Sequence, residues 1–275
     1  MASSDVPERL ADGRYREPPF RPLAPRSLRR ALEIALVLAF LWTCVEVAQV
    51  DFVTLAEGLP RMARWAARAW PPYLGDLDRM LYRAFETVAI ATVATAAAAA
   101  VAFPLSVFIS RNLGTSLWIG QPIRWVINAL RGIDTVVFAI LFVAAVGLGP
   151  FAGVLGMTLH AIGVIAKLNS EAIETLPRAP LEAAELSGAS QAKLVAYAVL
   201  PASLPNLAST ALYVWEANVR TSTILGIVGA GGIGIEIKAA IDLLDFQKLF
   251  TLMVIVLAMV TAIDQLSASI RRRLV

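Results

Sequence analysis

Val228-Gly229-Ala230-Gly231-Gly232-Ile233-Gly234, VGAGGIG, decides between two folds. It contains G-x-G-x-x-G, the spacing with which a strand-to-helix turn presents a helix N-terminus to a dinucleotide phosphate. That chemistry needs a strand before the turn, a helix after it and an acidic residue about 20 positions on to hold a ribose. Here the apolar run LFTLMVIVLAMV, 249–260, stands where the ribose partner should fall, and no β-α-β unit surrounds the turn. A nucleotide site is excluded. Two readings of Gly229, Gly231, Gly232 and Gly234 remain open. Absent side chains let a helix break beside a translocation path, or they let helices pack closely.

The surrounding composition supports membrane spans. Of 275 residues, 58% are hydrophobic and 16% charged, with mean hydropathy +0.68, against roughly 45–50% apolar residues in a soluble domain. The fold class expected is an all-α, polytopic transmembrane helical bundle of about six spans. A Pro- and Arg-rich tail, 1–30, ends in Arg26-Ser27-Leu28-Arg29-Arg30, and a first span, 31–50, is too long for a signal-peptide core. A loop over 51–83 follows. Its LPRMARWAARAWPP, with Trp65 and Trp70 beside Arg61, Arg64 and Arg68, suits a helix lying at the membrane interface. Further spans are expected at 85–109, 133–146, 150–168, 206–228 and 249–266, the core covering 84–268 and a basic terminus 269–275. Gly147-Leu148-Gly149-Pro150 splits a run too long for one ~30 Å crossing. The Ala-rich ATVATAAAAAVAF of the second span reads as close helix packing. The single Cys44 rules out an internal disulfide and reads as a small buried hydrophobe.

Placing the N-terminus inside puts roughly twice as many Lys and Arg in inner as in outer connections, so both termini are expected in the cytoplasm. The polar stretch within 171–205 then also lies inside. EAIETLPRAPLEAAELSGASQAKLVAYAVLPASLP reads as one helix ending near Thr175 and a short helix from Leu181 to Ser187 ending at Gly188. A second helix runs from Ser190 to Leu200 and stops at Pro201. Two short helices hinged at a glycine make a docking element; the alternative is an ordinary connecting loop.

Glu182-Ala183-Ala184, Gly188 and Leu200-Pro201 resemble the E-A-A, G and L-P positions of the coupling loop in permease subunits of bacterial ABC importers. The resemblance runs from about Phe85 to the C-terminus. It sharpens to the phosphonate permease family through ETVAIATVAT, VGLGPFAGVL, LYVWEANVR, ILGIVGAGGIG and DQLSASIRRRL, in that order. Three positions depart from it. Ala198 replaces the usual isoleucine, Arg131-Gly132-Ile133-Asp134 replaces R-x-x-P, and Pro201-Ala202 replaces P-Q. The resemblance implies a type I importer permease fold in the bacterial inner membrane. It also implies pairing with a second copy or a paralogous permease, two ATP-binding subunits and an extracytoplasmic substrate-binding protein. The cargo it implies is a phosphonate or related phosphorus oxyanion, with methionine or phosphate as the nearest alternatives. Lacking G-x-x-x-x-G-K-[ST], the chain itself would bind no cofactor; ATP and Mg would belong to the partner.

Ionisable residues in spans are expensive and therefore informative. Glu216 and Arg220 stand four apart on one helix face. They read as a structural ion pair, or else Arg220 meets an anion. Lys167 reads as snorkelling to lipid phosphates. The sole histidine, His160, reads as a packing residue or a contact on the path, and no metal-ligand set accompanies it. The basic residues belong to topology and lipid, not to nucleic acid. An intramembrane enzyme would need a nucleophile, base and orienting group, which are not evident together. A secondary transporter would leave the coupling-loop residues unexplained.

Overall fold

The structure, a computed structural model, describes residues 25–113 and 117–274; most of the expected N-terminal tail, 1–24, lies outside the described residues. The chain divides into two units, Met1–Ala63 and Arg64–Val275. The first holds α1 (Pro25–Val47) and most of α2 (Phe52–Arg68). Asp51 caps α2, accepting from the Val53 N–H at 2.8 Å and from the Thr54 hydroxyl at 2.6 Å. Cys44 is exposed on α1 rather than buried. The run of apolar residues there is long but finds no protein core within its own unit.

The second unit is built on four long helices: α3 (Leu77–Ile109), α6 (Pro150–Glu174), α9 (Leu200–Leu225) and α11 (Phe246–Leu274). Small residues set their spacing. Ala91, Ala94, Ala98 and Ala102 of α3 are fully buried. They pack with Met157, Ala161 and Ile165 of α6 and with Val214 and Val219 of α9 in two adjoining clusters. The low complexity of α3 is thus a packing surface, because close backbone approach replaces bulk where lipid supplies no hydrophobic drive.

The third expected span, 133–146, is corrected. α4 (Leu117–Gly132) and α5 (Thr135–Val146) meet at a 90° bend. At 12 residues, α5 reaches about 18 Å, short of a ~30 Å hydrocarbon layer, so α5 does not cross alone, and the bent α4–α5 pair is a broken span or a re-entrant loop. Among the described residues four helices are long and apolar enough to cross alone, and up to six crossings result if each bent pair counts as one. Asp134 makes the corner: its carboxylate accepts from the Val136 N–H at 2.8 Å and caps α5. At Gly156 of α6 an added Cβ would lie 2.6 Å from the Ala139 backbone nitrogen, so α5 rests on α6 through backbone contact.

Pro201 does not stop a helix, another correction. α7 (Arg178–Leu186) leads to α8 (Gln191–Leu194), and a π turn over Val195–Val199 runs directly into α9. Pro201 can donate no backbone hydrogen bond, and the widened turn before it gives the pyrrolidine room, so the helix continues through the proline. Beyond α9, a 3₁₀ turn and the glycine stretch lead to α10 (Gly234–Asp242) and then α11. The expected basic terminus is the last part of α11.

Candidate functional site

α7 and α8 form a hairpin across one end of the bundle. Gly188 turns the chain at φ +74 with nothing near its missing side chain, and its N–H donates to the Glu185 carbonyl at 2.9 Å. The glycine is thus required by backbone conformation, since a Cβ in the left-handed region costs about 1–2 kcal/mol. Leu181 and Leu194 anchor the hairpin in a cluster with Leu113, Ile173 and Val199. Beneath it, the Arg111 N–H donates to Glu174 at 2.9 Å and Asn112 donates to the Ile173 carbonyl at 2.8 Å, tying the ends of α3 and α6 together. The outer face is open. Glu182, Ala183 and Gly188 are exposed, Ala184 and Leu200 half-buried and Pro201 exposed. Leu186 and Tyr197 show 90% and 82% of their surface. The hairpin thus presents two large, bare side chains on its outer face.

At the opposite end, two glycine turns meet. Gly147 and Gly149 join α5 to α6 at positive φ, and Gly229, Gly231 and Gly232 follow α9 at φ +86, +88 and +77. The Gly149 N–H donates to the Gly229 carbonyl at 2.9 Å, and the Ile233 N–H donates to the Thr87 hydroxyl of α3 at 2.8 Å. A Cβ on Gly231 would lie 2.8 Å from Pro150 Cα. Gly231, Gly232 and Gly234 are buried, so these glycines meet α3, α6 and α9 rather than open space. The geometry supports close packing for all four: a Cβ on Gly229 would overlap the Leu148 side chain, and Gly229 also borders a cavity of 590 Å³ together with Arg83, Leu148, Gly149, Val228 and Lys238.

Between the two ends, α9 and α11 are joined by ion pairs that differ from the expected one. Glu216, buried, accepts from Arg271 at 2.5 Å. Arg220 lies 3.7 Å from Asp264, and both of those side chains stay about half exposed. Glu216 and Arg220 therefore do not pair with each other: each finds an opposite charge on the neighbouring helix, where side chains meet head-on. Lys167 likewise pairs with Glu171 one turn on, at 3.1 Å, instead of snorkelling alone. His160, half-buried, sits at the α4–α5 corner with Nδ1 2.8 Å from the Ile133 carbonyl. Thus Glu216, Arg220, His160 and the glycines are not brought together in one place.

The family described as the binding-protein-dependent transport system inner membrane component matches residues 102–275. The chain belongs to this family. A putative phosphite transport system permease of Stutzerimonas stutzeri is 45% identical, over 91% of this chain and 89% of its own length. A phosphate-import permease of Mycolicibacterium smegmatis is 40% identical, over 76% of this chain but 39% of that protein. Among solved structures, an inward-facing methionine ABC transporter superposes with a TM-score of 0.67 at 22% identity, covering 74% of this chain and all of that one, which shows a shared fold. The all-α fold of an importer permease and its place as an inner-membrane component are thereby established.

One ionic centre of the permease was not foreseen. Glu236 of α10, 3% exposed, lies 2.8 Å from Lys248 of α11 and 2.9 Å from Arg79 of α3. Its nearest sequence signal, an acidic residue just after the glycines, is indistinguishable from a loop charge, and its partners stand 12 and 157 positions away. Burial pushes its carboxyl up, but the Lys248 hydrogen bond and the charges of Lys248, Arg79 and Arg83 outweigh this and hold it below its ordinary value. A depressed carboxylate contributes stability above its unfolded-state value of about 4.3 and loses it as pH falls through the folded value. Accordingly, Glu236→Gln is expected to melt below the unchanged permease at neutral pH, with the gap closing below about pH 4. A gap that stays constant in thermal melts across that range would show that the charge contributes nothing.

Proposed function

We propose that the permease forms, with a second copy or a paralogous permease, the membrane passage of an ABC importer for a phosphonate or related phosphorus oxyanion. ATP and Mg are bound by two separate subunits seated on the α7–α8 hairpin, and a binding protein delivers cargo to the glycine-turn end. The observation that carries the reading is the hairpin, anchored within by Leu181 and Leu194 and bare outside at Leu186 and Tyr197. A hairpin joined in this way passes a displacement into α9, because the π turn keeps α8 and α9 continuous. The cargo is supported by the phosphite system named for the Stutzerimonas relative. Phosphate is the second reading, favoured by the mycobacterial relative. The Lys and Arg asymmetry supports the hairpin and both termini facing the cytoplasm.

One experiment tests both docking and orientation. A Ser190→Cys permease in a Cys44→Ser background is expected to resist an impermeant thiol reagent in intact cells. In inverted vesicles it should react when the ATP-binding subunit is stripped off and be protected when that subunit is restored. Labelling in intact cells would overturn the orientation, and equal labelling with and without the ATPase would overturn the docking.

A further inference from the structure

The cavity between the two glycine turns has a chemistry of its own. Its charged lining residues are Arg83 and Lys238, both cationic. Their carboxylate partners, Glu86 at 2.7 Å and Asp242 at 3.0 Å, are not part of the wall. Each pairing occupies one donor atom or proton, whereas a guanidinium has five N–H donors and an ammonium three, so donors remain for a second set of oxygens. The start of the 25-residue α6, Gly149 and Pro150, joins the same wall without a side-chain cap, adding a partially positive helix end. The rest is apolar: Leu148, Ile227, Val228 and Ile235. At 590 Å³ the space is within the range of small-molecule sites, about 300–1,000 Å³, and generous for a bare inorganic oxyanion.

We propose that this cavity is a binding station for an organophosphonate, with Arg83 and Lys238 taking the phosphonyl oxygens and Leu148, Val228 and Ile235 receiving the carbon substituent. It rests on the reading of the cargo as a phosphorus oxyanion and deepens it. The membrane chain itself then favours phosphonates carrying an apolar group over phosphite and phosphate, whatever the binding protein selects. The logic is that of an amphipathic site, in which charge-assisted hydrogen bonds orient the anion and the apolar wall discriminates by the area it buries.

The test uses the permease–ATPase assembly in nanodiscs without binding protein, so that selection by another chain does not enter. Saturation transfer from protein to the ring protons of phenylphosphonate is expected, competed at least tenfold better by ring-deuterated phenylphosphonate than by phosphite and not competed by benzyl alcohol. Lys238→Gln should weaken binding about tenfold, and Leu148→Trp, which fills the apolar side from an exposed position, should do so for phenylphosphonate more than for methylphosphonate. Arg83→Lys keeps a cation should Arg83→Gln fail to assemble, and it is expected to retain binding within a few-fold. Equal signals in the unchanged assembly, Lys238→Gln and Leu148→Trp would overturn the site, as would competition by benzyl alcohol. A lipid headgroup as the true occupant would show as binding seen only in nanodiscs of phosphate-free glycolipid, and would also overturn it. Uptake by the complete transporter is scored separately. Import of phosphonate without saturation transfer overturns the station and leaves the function. Binding without import of any phosphorus oxyanion overturns the function and leaves the site.

Discussion

Gly231→Leu is expected to remove most of the permease from the folded, membrane-extractable pool. Gly231 is buried at φ +88, and the first atom added to it would lie 2.8 Å from Pro150 Cα and 3.0 Å from Pro150 N. Both are backbone atoms at the start of α6, and neither can swing aside as a side-chain end could. A non-glycine residue held in that region costs on the order of 1–3 kcal/mol, and overpacking adds about 1–3 kcal/mol. Together they come to about 2–6 kcal/mol, a large fraction of the roughly 5–15 kcal/mol by which folded domains are stable. Fluorescence-detected size exclusion after graded heating reads the effect. Gly132→Ala serves as the control, because nothing lies within 4 Å of its Cβ and its φ is ordinary; it is expected to behave like the unchanged protein. A Gly231→Leu permease that assembles and supports ATP hydrolysis but blocks import would instead mean that this glycine borders the passage.

Arg271→Ala should be the most damaging of the single charge deletions along α9 and α11. It leaves Glu216, with only 10% of its side chain exposed, without the cation 2.5 Å away. Breaking a fully buried pair costs about 3–5 kcal/mol; Arg271 keeps 35% of its side chain exposed, so about 2–4 kcal/mol is expected after allowing for that solvation. The double change Glu216→Ala with Arg271→Ala should recover much of the loss, because the orphaned charge is then gone. Arg220→Ala should cost roughly 0–1 kcal/mol, since its 3.7 Å contact with Asp264 is long and half exposed. Any defect it has should fall on import rather than on yield. An Arg220→Ala loss as large as that of Arg271→Ala, or no recovery in the double variant, would contradict this division.

How much could be read before any helix was packed depends on the range of the interaction. The spans at α3, α6, α9 and α11, the hairpin hinged at Gly188 and the split at Gly147–Pro150 were all legible, because each is set by local composition and by glycine and proline chemistry. The third span was misread for an equally local reason. An apolar run says how much chain is greasy, not whether it is straight, and the Asp134 cap that starts α5 at a corner has the same sequence appearance as a loop charge. Pro201 misled in the opposite direction, since a proline is a stop only where no wider turn makes room for it.

The partners of the charges could not be read at all. On one helix, Glu216 and Arg220 are neighbours by spacing, and an i,i+4 pair contributes only about 0.2–0.5 kcal/mol. A cation from an adjacent helix that reaches a buried carboxylate outweighs it, and no rule of periodicity relates position 216 to 271 or 236 to 79. The sequence by itself determined that this protein is an all-helical membrane protein with a glycine-hinged helical hairpin, since hydrophobic length and turn chemistry act over a few residues, and its motifs carried the resemblance to importer permeases. Only the tertiary structure decided that most of the glycines of VGAGGIG are buried against α3, α6 and α9, and which charges neutralise one another. Those outcomes depend on how closely helices approach, and that distance is fixed by small residues far apart in the chain.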